Sequence, residues 1–176
     1  MKEDTRLLDF YEERGADHRG RMLSDIHRFP VGMLEHEHDF IQWLFPLRTA
    51  SPVNPNAPTV TERDIARFRS DDALRAALQR SFELMADFYG LRMSASDGVI
   101  TVRRGETFDQ RAENWLTPGN HNFLRITRIL RSLTILGQED LASAFLECLT
   151  TVFADYGGII GARTWRFWNA ALTDED

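Results

Sequence analysis

Apolar residues between positions 120 and 137 recur at helical spacing. Phe123, Ile126, Ile129, Leu130, Leu133 and Leu136 fall on one wide arc of a helical wheel. The spacing predicts a helix over 120–137 of about five turns, at ~3.6 residues per turn, with Gly137 placed to end it in the left-handed conformation. The arc is too wide for a simple surface helix, so this segment is expected at the centre of the fold. A polar series, His121, Arg125, Arg128 and Ser132, follows i, i+4, i+7, i+11 along the same segment. Leu124 and Ile135 flank it on one side, Ile129 and Leu136 on the other. Charges set between apolar neighbours need partners, because a buried unpaired charge is very costly.

The other patterns are also mainly helical. Residues 4–14 carry Leu7, Leu8, Phe10 and Tyr11 before Gly15, and Met22 to His27 form a second short element that Phe29-Pro30 breaks. Residues 31–45 read as one helix with Met33, Leu34, Phe40, Ile41, Leu44 and Phe45 on its apolar arc. Four prolines in 46–60 make that stretch an extended loop, either functional or packed down on the surface. Thr61 and Asp64 have capping-box spacing. Ser70 is expected to cap a helix reaching Tyr89, with Asp71 and Asp72 suiting its positive end. Ser96-Asp97-Gly98 between Leu91–Met93 and Val99–Val102 signals a hairpin. Short helices are expected over 106–116 and near 163–168. A longer one is expected over 139–156, closed by Gly157-Gly158, and an acidic frayed end over 173–176. The fold class is mainly α: a single domain over 1–176, built around 120–137, with 31–45, 71–89 and 139–156 packed on it and at most one small hairpin.

Beside the apolar arc of 31–45 lies a polar series, Glu35, His38, Asp39 and Gln42, with Trp43 beyond it. It is acidic where the series on 120–137 is basic. Pairing the two, Glu35 with Arg125 for example, would satisfy both through charge-assisted hydrogen bonds suited to arginine's fork. The two helices are therefore expected to pack with these stripes facing one another or a shared pocket.

Charge and composition narrow the function. A net charge of −6 over 176 residues argues against non-specific nucleic-acid binding, which rests on neutralising phosphates. The single cysteine, Cys148, excludes a disulfide framework and is expected in the core. No apolar run of ~18 residues is present to span a membrane, and no apolar leader follows the charged N-terminus. A soluble, cytoplasmic protein is expected.

Glu35-His36-Glu37-His38-Asp39 first suggests a metal site, but His36 and His38 at i, i+2 point about 200° apart on a helix and cannot share one ion. His36 and Glu37 are read as solvated. No metal or cofactor is expected, and no nucleophile elbow or phosphate loop occurs. Glu35, His38 and His121 could serve an acid/base or metal-assisted hydrolase, or form a structural network; a catalytic role is not expected. Arg125 and Arg128 are the stronger candidates, either as an ion-pair lock or as the group that meets a ligand's carboxylate or phosphate. A third reading is a scaffold that binds partners through loop 46–60.

Two stretches go further. Leu34 to Pro46, with Leu34-Glu35, His38, Ile41-Gln42-Trp43-Leu44-Phe45-Pro46, and His121 to Leu133, with His121-Asn122, Leu124-Arg125-Ile126-Thr127-Arg128-Ile129-Leu130 and Ser132-Leu133, resemble two motifs of the N-terminal domain of the opioid growth factor receptor family. Ile26-His27, Asn54, Ala57-Pro58 and Phe88-Tyr89-Gly90 follow in the family's order, so the resemblance spans about residues 7–150. Phe40, Phe123 and Phe29 stand where the family usually has tyrosine, asparagine and tryptophan. The resemblance implies a helical ligand-recognition domain without established catalysis, in a family whose animal members are non-classical receptors for an enkephalin pentapeptide. Those members are associated with membranes and the nucleus without a transmembrane span. The chain is expected to be a minimal member lacking their repeat-bearing tail. A short peptide or small carboxylate is the expected partner, lined by Glu35, His38, Gln42, Trp43, His121, Asn122, Arg125 and Arg128.

Overall fold

A computed structural model describes residues 4–173. Among them are ten helices and one two-stranded antiparallel hairpin, as the patterning predicts for a mainly α chain. By their internal packing the residues divide into two compact units, Met1–Ser81 and Phe82–Asp176.

The first unit holds α1 (Arg6–Tyr11), α2 (Leu23–Ile26), α3 (Val31–His36), α4 (Ile41–Leu44), α5 (Glu62–Ser70) and the first part of α6 (Asp72–Phe88). Its core is aromatic: Phe10 meets Trp43 with ring centroids 5.1 Å apart, and Tyr11 meets Phe68 edge-on at 4.9 Å. Such tilted and edge-to-face pairs add stability beyond the area they bury. The predicted helix over 31–45 is two short helices joined by an extended link. Glu37 has ψ 132° and ends α3. The Asp39 carbonyl accepts a hydrogen bond from Asn54 Nδ2 at 2.7 Å, while the Trp43 N–H bonds to the Phe40 carbonyl. The proline-rich loop thus takes the carbonyl that a continuous helix would have used, and a helical wheel drawn across 37–40 does not apply. Within that loop Ser51, Asn54, Ala57 and Val60 are buried, so it is packed down.

Thr61 caps α5 with the expected reciprocal bonds to Asp64. The cap of α6 is Asp71 instead of Ser70. Asp71 Oδ1 accepts from the Ala73 and Leu74 N–H groups, whereas Ser70 Oγ bonds back to Ala66 and Arg67 as the last residue of α5.

In the second unit α6 ends at Gly90, where φ is +76° and an added Cβ would stand 2.6 Å from the Phe108 Cα; only glycine meets both conditions. β1 (Leu91–Ser96) and β2 (Val99–Arg104) are joined by Asp97 and Gly98, both at positive φ, the conformation of a tight hairpin turn. α7 (Phe108–Trp115) leads to α8 (Asn122–Ile135), whose core positions Ile126, Ile129, Leu130 and Leu133 are fully buried. Its end carries the 6→1 bond from Gln138 N–H to the Leu133 carbonyl and the 5→2 bond from Gly137, with Gly137 at φ +84°.

α9 (Glu139–Ile160) packs on α8 and β2 and does not stop at Gly157-Gly158. A glycine inside a helix costs only about 1 kcal/mol, and here it makes room. The Phe153 ring lies against Gly157 and stacks on Trp165, centroids 4.5 Å apart. The chain turns at Gly161 (φ +81°) into α10 (Ala162–Ala170), longer than the aromatic cluster alone suggested. Trp168 of α10 is fully buried, donates its indole N–H to the Phe123 carbonyl at 3.1 Å, and meets the Phe123 ring edge-on. Cys148 is buried, and burial pushes its thiol up to about 11.

Candidate functional site

Within the second unit, the expected residues gather on the first two turns of α8. Asn120 sets the entry. Its Oδ1 accepts from the Asn122 N–H at 2.9 Å and from Asn122 Nδ2 at 3.0 Å, while its Nδ2 donates to the Asn114 carbonyl and Thr117 Oγ1. An asparagine before a helix competes well for the orphan N–H groups. Asn122, with no exposed surface, then presents Oδ1 to two donors, Tyr89 Oη at 3.4 Å and Arg125 Nη1 at 3.3 Å. Tyr89 is itself held from behind, its carbonyl accepting the Trp115 indole N–H at 3.2 Å.

Arg125 is 5% exposed, Arg128 and His121 are half-buried, and all three are engaged by other groups. Burial pulls the Arg128 guanidinium down to about 10, so it stays protonated at neutral pH. The site therefore keeps its positive charge under physiological conditions, one turn from an arginine fixed by an amide.

In the first unit, Asp39 is the hub. Its carboxylate meets Arg21 Nη2 at 2.9 Å, Arg19 Nη1 at 3.3 Å and His18 Nε2 at 3.4 Å. Burial works to raise its pKa, but the bonds and charges of Arg21 and then Arg19 outweigh it and hold the carboxyl below its usual range. Arg21 also grips the buried Asp17 carboxylate at 2.5 Å, and Arg19 pairs with Glu37 at 2.6 Å. His18 Nδ1 accepts the Trp43 indole N–H at 3.1 Å, the two rings nearly parallel. With Nδ1 accepting that bond, Nε2 is the ring nitrogen that faces Asp39.

The loop 17–21 is thus a functional-looking cluster that sequence reasoning missed. Its signal was present in Asp17-His18-Arg19-Gly20-Arg21, alternating charges around a glycine. It also corrects two expectations. Asp39 is partnered by its own unit's arginines, and Glu37 is half-buried in an ion pair where solvation was expected. His36 is exposed, its ring bonded to the Gly32 carbonyl at 2.8 Å. Glu35 is half-buried on α3, and His38 is exposed in the link after it. Gln42 and Trp43 are buried on α4 at 5% and 1% exposure. Trp43's donor is already used, whereas the buried Gln42 Oε1 has no hydrogen-bond partner among the described residues. Among the same residues, no three His, Cys, Asp or Glu side chains are grouped to hold a metal ion, and no helix is long and apolar enough to cross a membrane.

A family model described as the opioid growth factor receptor conserved region matches residues 2–153. The chain is 44% identical over 119 residues to the human opioid growth factor receptor, covering 65% of this chain and 17% of that protein. With the rat receptor it shares 43% over 148 residues, 80% of this chain and 25% of the relative. With opioid growth factor receptor-like protein 1 of Xenopus tropicalis it shares 38% over 118 residues, 65% and 22% respectively. The chain thus spans a quarter or less of the length of these relatives. No solved structure matches it.

Proposed function

The chain belongs to the opioid growth factor receptor family, and from that premise we propose that it is a peptide-recognition module whose carboxylate-binding element is the basic stripe of α8. The observation that carries this reading is the fixing of Arg125 by Asn122, itself held by Asn120 and Tyr89. A guanidinium oriented in advance loses less freedom on binding, and its fork suits a carboxylate. Arg128, charged despite its burial, supplies the second cation one turn on. Opioid growth factor is the ligand that the relatives' names give, and an enkephalin pentapeptide is the probe to use.

The test is a calorimetric titration of the chain with that pentapeptide, beside Arg125→Lys and Arg128→Lys. Each variant keeps the charge and loses the fork, and circular dichroism confirms its folding. Micromolar binding, about −8 kcal/mol, weakened at least tenfold in either variant supports the reading. No heat with the parent chain, or equal affinity in all three proteins, overturns it. Glu35→Gln and His38→Ala belong in the same series, to measure whether the acidic stripe takes part.

A further inference from the structure

The first unit contains a cavity of about 290 Å3, lined by Tyr11, Leu23 and Ala77 and by the polar His27, Arg28 and Arg80. One wall is held in an uncommon conformation. Glu13 has φ +57°, a left-handed geometry that costs a non-glycine residue about 1–3 kcal/mol and persists only where the surroundings enforce it. Here Glu13 is the left-handed residue that closes α1, its N–H on the Phe10 carbonyl and the Arg14 N–H on the Asp9 carbonyl, and its carboxylate accepts from the Ser24 N–H at 2.7 Å and from Ser24 Oγ at 3.3 Å.

The charges around the cavity are unequally committed. The Glu13 carboxylate is occupied by Ser24, and Arg28 pairs with Asp25 at 2.8 Å. The Tyr11 hydroxyl donates to the Leu44 carbonyl. Arg80, exposed at the rim, has no hydrogen-bond or ion-pair partner among the described residues. His27 Nε2 lies 2.9 Å from Ser81 Oγ, whose own hydroxyl is 3.2 Å from the Ala77 carbonyl. Ser81 therefore gives its proton to Ala77 and accepts from His27. Burial, and then the charge of Arg80, press the His27 pKa down to about 4, so the ring is neutral at pH 7.

We infer that this cavity binds a small carboxylic acid with an apolar body, the carboxylate meeting Arg80 and the body resting on Leu23, Ala77 and the Tyr11 ring. The volume is at the lower end of ligand pockets, ~300–1,000 Å3, so the occupant is the size of a single ring with a short acidic arm. One uncommitted cation beside the Glu13 carboxylate favours a monoanion over a dianionic phosphate. The cavity shares no residue with the α8 stripe.

His27 is a built-in reporter. An anion on Arg80 offsets one of the two influences that depress its pKa, and by linkage the two equilibria must respond to each other. The experiment is an NMR titration of the His27 ring protons against pH in the full chain, alone and with millimolar phenylacetate, phenylacetamide or inorganic phosphate. Phenylacetate should raise the His27 midpoint, the neutral amide should leave it in place, and phosphate should move it less. Arg80→Gln, a surface substitution, should raise the midpoint by itself and abolish the phenylacetate response. Equal responses to acid and amide, no response to either, or a response that survives Arg80→Gln would overturn the site. A larger shift with phosphate would overturn the choice of a monoanion.

Discussion

Two polar networks, one in each unit, solve the same problem with different materials. Around Asp39 the chain uses full charges, two arginines and three carboxylates on a half-exposed loop and link. Beneath α8 it uses neutral amides and a phenol, and the charged member, Arg125, donates to an asparagine's side-chain oxygen. Ion pairs near water are screened and individually weak. A buried network of amides is strong only while every member is satisfied. The first therefore tolerates damage, and the second does not.

That contrast fixes an order of effects. Asn122→Ala should be the most harmful change, since it leaves the Tyr89 hydroxyl and an Arg125 N–H without their shared acceptor in the core. An unsatisfied buried group costs about 1–3 kcal/mol and a charged one more, so urea denaturation should show a loss of roughly 3 kcal/mol or more. His18→Ala comes next. It strands the buried Trp43 indole N–H, at a cost of about 1–2 kcal/mol, and the restored mobility of Trp43 should be visible in near-ultraviolet circular dichroism. Arg19→Ala should matter least, because its side chain is half exposed; the urea midpoint should barely move, and high salt should erase what difference there is. If Arg19→Ala proved as harmful as Asn122→Ala, the contrast between the networks would fail.

The sequence carried the local parts of this fold and lost the competitive ones. The Thr61–Asp64 box, the Asp97-Gly98 turn and the Gly137 end of α8 each depend on a few adjacent residues, and all are as expected. The break in 31–45 depends on Asn54, fifteen residues away, claiming the Asp39 carbonyl. The choice of Asp71 over Ser70 as a cap was a contest between neighbours that both suit the role. Gly157-Gly158 looked like a stop because glycine is a poor helix former, but the stacked Phe153 and Trp165 use the space its missing side chain leaves. At the site, the Asn122–Arg125 spacing was legible as i, i+3, whereas the third partner, Tyr89, comes from the end of a different helix. The three departures from the family motif also make sense only in three dimensions. Phe29 and Phe40 pack edge-on against each other, and Phe123 packs against Trp168, beyond the matched region.

Each of the three fully buried tryptophans spends its indole proton on a different acceptor: Trp43 on His18, Trp115 on the Tyr89 carbonyl and Trp168 on the Phe123 carbonyl. Those protons resonate apart from the amide envelope, so the chain comes with three internal probes that need no labelling chemistry. One reports on the charged loop, one on the amide frame behind Arg125, and one on the seam where α10 seals the start of α8. Their exchange with deuterium, read side by side, would rank how readily each of these places opens to water.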